Sequence, residues 1–408
     1  MEPVVRSLIL KGFRSVRAGQ IVFDNPTFLV GRNGSGKSNI ADAFAFLAEA
    51  MVSPLQEVMD RRGGIDSVVT KSPENSPVTN LGIAVEVCPS EQAKGLVDDV
   101  KCARYAFEIR ALPDYKFEVV REQCILTFAN GTKQWFNRER DTFISTAISS
   151  ERFHPRWVVS STLVMPLIGG LLPFVIVPVT LRTMRVYSIE PAKLRDMQDP
   201  ESGTSLRSDG ANAASVFEEI ERRSPKDVQR MGEFLSAIVP NTKIVDTVQH
   251  GKKLALEFIQ EWSDGKKLDF EAFSMSDGTL RAFGLLLAVF QHDRPLLIVV
   301  EEPEASLHPA AAGVVLDVLR EASKRMQVVV STHSPDLLDA KWIEDKHLRV
   351  VHWQKGVTSV SRISEMSRKA LQDHLMQAGE LMRSEALEPD PLFEDAPETQ
   401  ANLFEEVS

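Results

Sequence analysis

The hydrophobic pattern begins with two runs of β-branched and aromatic residues, 4–10 and 21–30, which predict strands. A segment with helical spacing follows the second run, and its apolar positions are Ile40, Phe44, Leu47 and Met51. Further along, the uninterrupted apolar run at residues 296–300 suits a strand buried in a parallel sheet. The pattern therefore predicts an α/β fold in which helices cover a sheet.

The middle of the chain changes character. Four short runs predict antiparallel strands, at residues 81–88, 103–111, 116–121 and 123–128. From about 135 to 235 the pattern is helical and irregular, and strand signals return at 243–248 and 253–259. We therefore expect a main domain made of residues 1–95 and 236–360, split by an inserted strand and helical lobe at 96–235. Residues 361–408 predict a helix followed by an acidic, disordered tail.

One uncharged stretch, residues 157–181, is long enough to cross a bilayer. Pro166, Pro173 and Pro178 would interrupt a spanning helix repeatedly. We expect a buried helical layer here, a soluble protein and no membrane partner.

The net charge of −10 gives no general attraction to nucleic acid, so any contact with DNA requires a local basic patch. Candidates are Arg182, Arg185, Lys193 and Arg195, with the pairs Lys252-Lys253 and Lys266-Lys267. The alternative is that these side chains are solvated faces that balance an acidic protein.

The three cysteines, Cys88, Cys102 and Cys124, form no CxxC pair and are odd in number. We therefore expect neither a disulfide framework nor a zinc site, and the composition fits a reducing, cytoplasmic compartment.

Residues 31–38, GRNGSGKS, match the phosphate-loop pattern GxxxxGK[ST] between a predicted strand and a predicted helix. The backbone N–H groups of such a loop wrap the β-phosphate, and the helix N-terminus adds a favourable dipole. Lys37 would neutralise the β- and γ-phosphates, while the Ser38 hydroxyl would ligate Mg²⁺. The pattern predicts ATP and Mg²⁺ as cofactors.

Two carboxylates, Glu301 and Glu302, end the apolar strand at 296–300. Glu301 can hold Mg²⁺ and Glu302 can polarise the attacking water, although a charged turn closed by Pro303 is the alternative. His333, after the apolar run 328–330, would reach the γ-phosphate, unless it is a structural histidine.

The small-residue turn at 276–279 opens an apolar helix, and free N–H groups at a helix N-terminus bind anions. Because the phosphate loop already supplies one cradle, a second anion site suggests a composite site shared between two subunits. An ordinary N-cap at Ser276 is the alternative.

The order of phosphate loop, small-residue turn, double carboxylate and histidine resembles the ABC-type ATPase heads of the SMC/RecF/OLD group. More narrowly, Phe13-Arg14-Ser15 and the segments EEPEASLHP and STHSPDLL resemble predicted AAA-type ATPases of bacterial defence islands and OLD nucleases. The resemblance implies a P-loop NTPase of the ABC/RecF-head type, with a mixed sheet, that closes on ATP as a homodimer.

In that dimer, Ser276 and Gly278 would touch the γ-phosphate bound to the Lys37 of a second copy. The resemblance also assigns nucleotide contacts to the FRS and phosphate-loop residues, namely Arg14, Ser15, Gly31, Asn33, Gly34, Ser35, Gly36, Lys37, Ser38 and Asn39.

Three features depart from the family pattern. Asp277 and Thr279 replace residues of the usual LSGGQ turn, and the Q-loop glutamine has only Gln123 and Gln134 as candidates. OLD nucleases carry a Toprim domain after the histidine, whereas the 75 residues after His333 hold no DxD pair. We therefore expect no nuclease on this chain.

The resulting prediction is an ATP-dependent dimeric switch in DNA repair or phage defence whose effector, such as a nuclease, is a separate chain. The alternatives are a RecF-like ATPase acting directly on DNA and a scaffold that dimerises on ATP with little turnover. A transporter subunit fits less well with the long insertion. In the tail, residues 400–404 have the QxxLF spacing of sliding-clamp peptides; another partner, or no role, are the other interpretations.

Overall fold

The computed structural model describes residues 1–71, 79–89, 99–149, 158–171, 173–354, 356–390 and 402–407. These residues form two compact units. We name the first the P-loop unit, which comprises Glu2–Met184, Asp345–Gln372 and Leu387–Ser408. The second, the carboxylate unit, comprises Met1, Arg185–Glu344 and Asp373–Ala386.

The sheet of the P-loop unit has the strand order β8-β7-β6-β5-β4-β1-β2-β16-β15-β3. Its strands are β1 (Val5–Phe13), β2 (Val16–Val22), β3 (Thr27–Val30), β4 (Asn80–Val87), β5 (Val100–Ala111), β6 (Phe117–Phe128), β7 (Lys133–Glu139), β8 (Thr142–Ser145), β15 (Leu348–Gln354) and β16 (Val357–Ser361). The predicted antiparallel run is confirmed, with 116–121 and 123–128 fused into one strand, β6. Because β4 pairs with β1, the strands after residue 96 extend the sheet that carries the phosphate loop.

Helices of the P-loop unit are α1 (Lys37–Ala50), α2 (Leu55–Asp60), α3 (Ile65–Val68), α4 (Met165–Ile168), α5 (Ile176–Arg182) and α11 (Glu365–Gln372). The apolar positions Ile40, Phe44 and Leu47 of α1 are buried, as their spacing predicts. Phe44 packs edge-on against Phe23, the residue directly after β2, at 5.4 Å between ring centroids. This packing fixes α1, and with it the loop that precedes α1.

The uncharged stretch contributes α4 and α5, whose apolar side chains are largely buried. The buried layer that the sequence predicts is therefore present in the described part of the stretch. No helix among the described residues combines the length and the apolar character that crossing a bilayer demands.

In the carboxylate unit, parallel strands follow the order β14-β13-β9, and a separate three-stranded antiparallel sheet has the order β10-β11-β12. The strands are β9 (Arg185–Tyr187), β10 (Thr242–His250), β11 (Lys253–Glu261), β12 (Lys267–Glu271), β13 (Leu297–Glu301) and β14 (Gln327–Thr332). The helices are α6 (Pro191–Arg195), α7 (Ala213–Arg223), α8 (Pro225–Ile238), α9 (Asp277–Phe290), α10 (Pro309–Ala322) and α12 (Ala378–Arg383). Short 3-10 helices span Ala272–Ser274 and Pro335–Leu338 here, and Asp345–His347 in the P-loop unit.

Two of the cysteines correct the expectation of free thiols. Cys88 and Cys102 form a disulfide, because the antiparallel register that pairs Val87 with Ala103 places residue 88 opposite residue 102. Cys124 stays free and buried, and burial, reinforced by the charge of Glu122, raises the pKa of its thiol well above the usual value.

The end of the tail corrects a second expectation. Leu403 and Phe404 pack on the sheet of the P-loop unit, and Leu403 is 4% exposed although the acidic composition predicted disorder. Gln400, the first residue of the QxxLF spacing, lies outside the described residues.

Candidate functional site

The phosphate loop joins β3 to α1, and two of its glycines are required by close neighbours. Gly36 is the N-cap of α1 with φ 102°, and a Cβ there would lie 2.1 Å from Thr358 Oγ1. A Cβ on Gly31 would lie 2.1 Å from the carbonyl oxygen of Val351. The loop is therefore pressed against β15 and β16, and no larger residue fits at these two positions.

Lys37 lies inside this loop. Its side chain is buried, and Nζ donates hydrogen bonds to the carbonyl oxygens of Gly31 at 2.8 Å and Arg32 at 3.0 Å. Asn33, Gly34 and Ser38 are exposed around it. The ammonium therefore sits where a loop of this type places phosphate oxygens, at the N-terminus of a 14-residue helix.

Hydrogen bonds among the side chains of Ser15, Asn39 and Thr358 stabilise the loop. Ser15 Oγ lies 2.7 Å from Thr358 Oγ1, which donates to the carbonyl oxygen of Ser35 at 2.8 Å. Asn39 Nδ2 donates to Ser15 Oγ at 2.5 Å. Arg14 instead donates to Asp42 Oδ2 of α1 through Nη2 at 2.8 Å. The structure thus brings Ser15 and Asn39 to the loop and adds Thr358, for which the sequence held no signal.

The donor set fits the triphosphate of ATP. Ser35 Oγ is buried with no hydrogen-bond partner among the described residues, and Gly34 has φ 79° with open space where a Cβ would stand. Together with Lys37 and the exposed Ser38 hydroxyl, these groups form a polar cradle for an anion and for its cation.

In the carboxylate unit, the catalytic candidates meet at the ends of two neighbouring strands. β13 and β14 are parallel and pair Glu301 with Ser331, so their carboxyl ends lie side by side. Glu302 has φ 42°, and its N–H donates to the carbonyl oxygen of Ser331 at 2.9 Å. His333 Nδ1 lies 3.1 Å from Glu302 Oε1, close enough for an ion pair when the imidazole is protonated. The structure therefore brings Glu302 and His333 into contact, which the sequence did not predict, and their roles in hydrolysis stay predictions.

Sequence reasoning missed Glu304. Its side chain is 9% exposed, and Thr332 Oγ1 donates to its Oε1 at 2.5 Å. Burial raises the pKa of this carboxyl, although the hydrogen bond from Thr332 acts in the opposite direction. Glu304 thus joins the turn after β13 to the end of β14 and helps to fix Glu302 and His333. The available sequence signal for Glu304 was its position as the third glutamate of the segment EEPE, residues 301–304.

The turn before α9 is held by its own hydrogen bond and by neighbours within the unit. Ser276 is the N-cap, and its Oγ accepts a hydrogen bond from the N–H of Thr279 at 3.2 Å. A Cβ on Gly278 would lie 2.5 Å from the carbonyl oxygen of Ser306, so this turn packs on the turn after the carboxylates. Asp277 accepts from Arg195 Nη2 at 2.5 Å. The Ser276 hydroxyl therefore acts as an ordinary N-cap, which was the alternative interpretation of this turn. Anion binding at this end of α9 stays a prediction.

The candidate residues divide between the units. Arg14, Ser15 and the loop residues 31–39 belong to the P-loop unit, whereas Ser276, Gly278, Glu301, Glu302 and His333 belong to the carboxylate unit.

Four of the eight basic candidates for DNA contact form ion pairs with acidic neighbours. Arg195 pairs with Asp277, and the remaining pairs are Lys253 with Asp199 at 3.4 Å, Lys266 with Asp264 at 3.0 Å and Lys267 with Glu261 at 3.9 Å. This pairing favours solvated, charge-balanced faces. Among the Q-loop candidates, Gln123 binds the backbone of the tail.

Two family models match the chain. Residues 4–87 match a family described as "AAA ATPase domain", and residues 191–339 match one described as "AAA domain, putative AbiEii toxin, Type IV TA system". The first range contains the phosphate loop, and the second contains the turn at 276–279, both carboxylates and His333. No curated protein sequence matches this chain.

Solved structures of SMC heads share the fold. An SMC head bound to the C-winged helix domain of ScpA is 18% identical with TM-score 0.52, covering 90% of this chain and 99% of its own. An Smc head from Pyrococcus furiosus with an extended coiled coil, bound to the C-terminal domain of ScpA, is 16% identical with TM-score 0.54. There the coverage is 92% of this chain and 100% of its own. The predicted ABC-type P-loop fold is confirmed.

Proposed function

We propose, from the premise that the chain is an AAA-type ATPase on the SMC-head fold, that it is an ATP-driven dimeric switch that signals to a separate effector. The observation that carries the ATP assignment is the phosphate loop. Because Gly31 and Gly36 have no side chain, β15 and β16 can approach the loop closely. The Lys37 side chain lies inside the curve of the loop backbone.

Each polar residue then has a role. Lys37 binds the β- and γ-phosphates, and Ser38 with Glu301 would hold Mg²⁺, which neutralises developing phosphate charge when bound. Glu302 orients the attacking water. His333, whose Nδ1 lies 3.1 Å from Glu302 Oε1, holds the transferred phosphate. Glu304 and Thr332 are positioning residues because they act through Glu302 and His333.

Dimerisation is proposed from the second anion site. Ser276 is exposed at the N-terminal end of α9, and a helix N-terminus attracts anions. In a symmetric dimer, the Ser276 turn of one copy contacts the γ-phosphate held by Lys37 of the other, so ATP completes both sites. The Arg195 guanidinium compensates the negative charge of Asp277, which by itself would repel the phosphate there.

A separate protein effector fits the comparisons better than direct DNA binding. One matching family is described as a putative toxin of a toxin–antitoxin system, which favours defence over repair. The SMC heads that share the fold are bound to a second protein. Four of the eight basic side chains named as candidates for a DNA contact are paired with carboxylates.

Two substitutions test the assigned chemistry. Lys37→Ala removes the phosphate-binding cation, so we expect loss of nucleotide binding and hydrolysis. Glu302→Gln keeps the size of the side chain but cannot activate water, so binding should persist while turnover falls at least about 100-fold. Binding is measured with a fluorescent ATP analogue and turnover by phosphate release.

Asp317→Asn, on an exposed carboxylate of α10 in the same unit and outside the assigned machinery, is the matched control and should hydrolyse ATP normally. Equal loss of nucleotide binding in Lys37→Ala and Glu302→Gln would refute the role of Glu302. Undetectable hydrolysis in the unmodified chain, with tight ATP binding, would replace the switch by a scaffold.

A further inference from the structure

The sheet of the P-loop unit carries a small apolar pocket that is filled by the side chain of Leu403. The pocket is lined by short side chains from neighbouring strands, together with Ile9, namely Ala18, Gly82, Ala84 and Ala106. A Cβ on Gly82 would lie 2.2 Å from Leu403 Cδ1. The strands therefore leave room for one branched aliphatic side chain at this place.

Two side chains of the sheet bind the backbone of the tail on either side of this leucine. Gln123 Nε2 donates to the carbonyl oxygen of Glu405 at 2.9 Å, and Gln123 Oε1 accepts from its N–H at 3.0 Å. Arg104 Nη2 donates to the carbonyl oxygens of Asn402 at 2.5 Å and Leu403 at 3.2 Å. A buried glutamine whose amide binds both the N–H and the carbonyl oxygen of one residue recognises an extended backbone, as a neighbouring strand would.

The next two side chains of the tail also have dedicated partners. The Arg121 guanidinium lies over the ring of Phe404, 4.4 Å from its centroid. The Glu405 carboxylate lies 3.7 Å from Arg104 Nε and 3.6 Å from Lys133 Nζ. The face thus selects a leucine, an aromatic residue and an acid in consecutive positions, which exceeds what a non-specific covering of apolar surface needs.

The same tripeptide occurs a second time in the sequence. Residues 403–406 read Leu-Phe-Glu-Glu, and residues 392–395, outside the described part of the chain, read Leu-Phe-Glu-Asp. In both copies leucine, phenylalanine and glutamate are consecutive, and a second acidic residue follows the glutamate.

We propose that this sheet face is a binding site for the peptide motif Leu-Phe-Glu-(Asp/Glu), and that both motifs of the tail are ligands of it. The motif at 403–406 fills the site within its own chain, and the motif at 392–395 competes for the same site, there or on a second copy. The inference does not depend on ATP hydrolysis. It also means that a clamp-type partner of residues 400–404 would first have to displace Leu403 from the pocket.

The test uses the full-length chain with both motifs silenced by Leu392→Ala, Phe393→Ala, Leu403→Ala and Phe404→Ala. Fluorescent peptides covering 388–398 and 399–408 are titrated against it, and anisotropy is measured. We expect both to bind with dissociation constants within about tenfold of each other. The unmodified chain should bind either peptide at least about tenfold more weakly, because its own tail occupies the site at high effective concentration.

Controls separate recognition from adhesion. A 399–408 peptide with alanine at 403 and 404 should not bind. Gly82→Val, added to the chain with the four alanine substitutions, should abolish peptide binding because the valine side chain fills the pocket of Leu403. Arg121→Ala in the same chain should weaken peptide binding without disturbing folding, because the Arg121 side chain is partly exposed. The proposal is overturned if neither peptide binds, if the alanine peptide binds equally well, or if only the 399–408 peptide binds.

Discussion

At the scale of single residues, two glycines of the phosphate loop that look equivalent in the motif have different surroundings in the structure. Gly34 and Gly36 both have positive φ, at 79° and 102°, but their surroundings differ. A Cβ on Gly34 meets nothing within 4 Å, whereas one on Gly36 meets Thr358 Oγ1 at 2.1 Å. Strain of the backbone applies to both positions, and a steric clash applies only to the second.

This difference predicts unequal effects of alanine. Gly34→Ala should cost about 1 kcal/mol of unfolding free energy and leave ATP binding within a few-fold of the unmodified chain. Gly36→Ala should push the loop away from β16, break the hydrogen bond from Thr358 to Ser35, and reduce ATP binding at least about tenfold. Isothermal titration with ATP, alongside urea unfolding, measures both. Equal losses of binding in the two variants would contradict the assigned contact.

The motif was sufficient to predict Lys37, Ser38 and the loop glycines as phosphate ligands, because phosphate binding requires certain residue types at a fixed spacing. Thr358 could not be found in this way, since it reaches the loop from a strand 323 positions away from its partner Ser35. Glu302 and His333 each follow an apolar run that predicts a strand, but the contact between them depends on β13 and β14 being parallel neighbours that end at one edge, which no local pattern specifies.

At the scale of elements, a buried carboxylate organises the start of the short helix α4. Glu122 of β6 accepts hydrogen bonds from the N–H groups of Val164 at 2.6 Å and Met165 at 2.8 Å, and from the Tyr105 hydroxyl at 2.8 Å. Arg138 Nη1 lies 3.9 Å away, and both side chains are almost fully buried. Burial raises the pKa of Glu122, although the two backbone donors act to lower it.

Removing this carboxylate should be costly. Glu122→Ala would leave the Arg138 charge buried without its counter-ion and the donors at α4 without an acceptor, so we expect a loss of about 3–5 kcal/mol. Glu118→Ala on the same strand removes the pair with Arg110, which is partly exposed, and should cost about 1 kcal/mol or less. Urea unfolding measures both variants. A loss for Glu122→Ala no larger than for the control would contradict this account of the element.

Elements were easier to predict than their pairing. The β-branched runs located β4 to β6, because side-chain type decides strand formation locally. The Cys88–Cys102 disulfide depends on the register between β4 and β5, which no local pattern specifies. The docking of Leu403 was missed for a related reason. An acidic tail cannot form its own core, but Arg104, Gln123 and Lys133 supply partners from a distant part of the sequence.

At the scale of the whole molecule, the proposed hydrolysis assigns phosphate binding to Lys37 and the orientation of the attacking water to Glu302. The proposed switch further needs two copies of the chain, since the Ser276 turn acts on nucleotide bound by the other copy. Lys37→Ala and Ser276→Arg should therefore each be inactive, the first through loss of phosphate binding and the second through bulk and charge at the turn. Their defects lie in different parts of the composite site.

The most direct measurement of this claim is ATP hydrolysis by an equal mixture of Lys37→Ala and Ser276→Arg chains. A mixed dimer holds one site in which both mutations meet and one site with an intact Lys37 and an intact Ser276. The account predicts that hydrolysis recovers to roughly a quarter of the unmodified rate, because half of the dimers are mixed and each has one working site. A rate no higher than the sum of the two separate variants would contradict it.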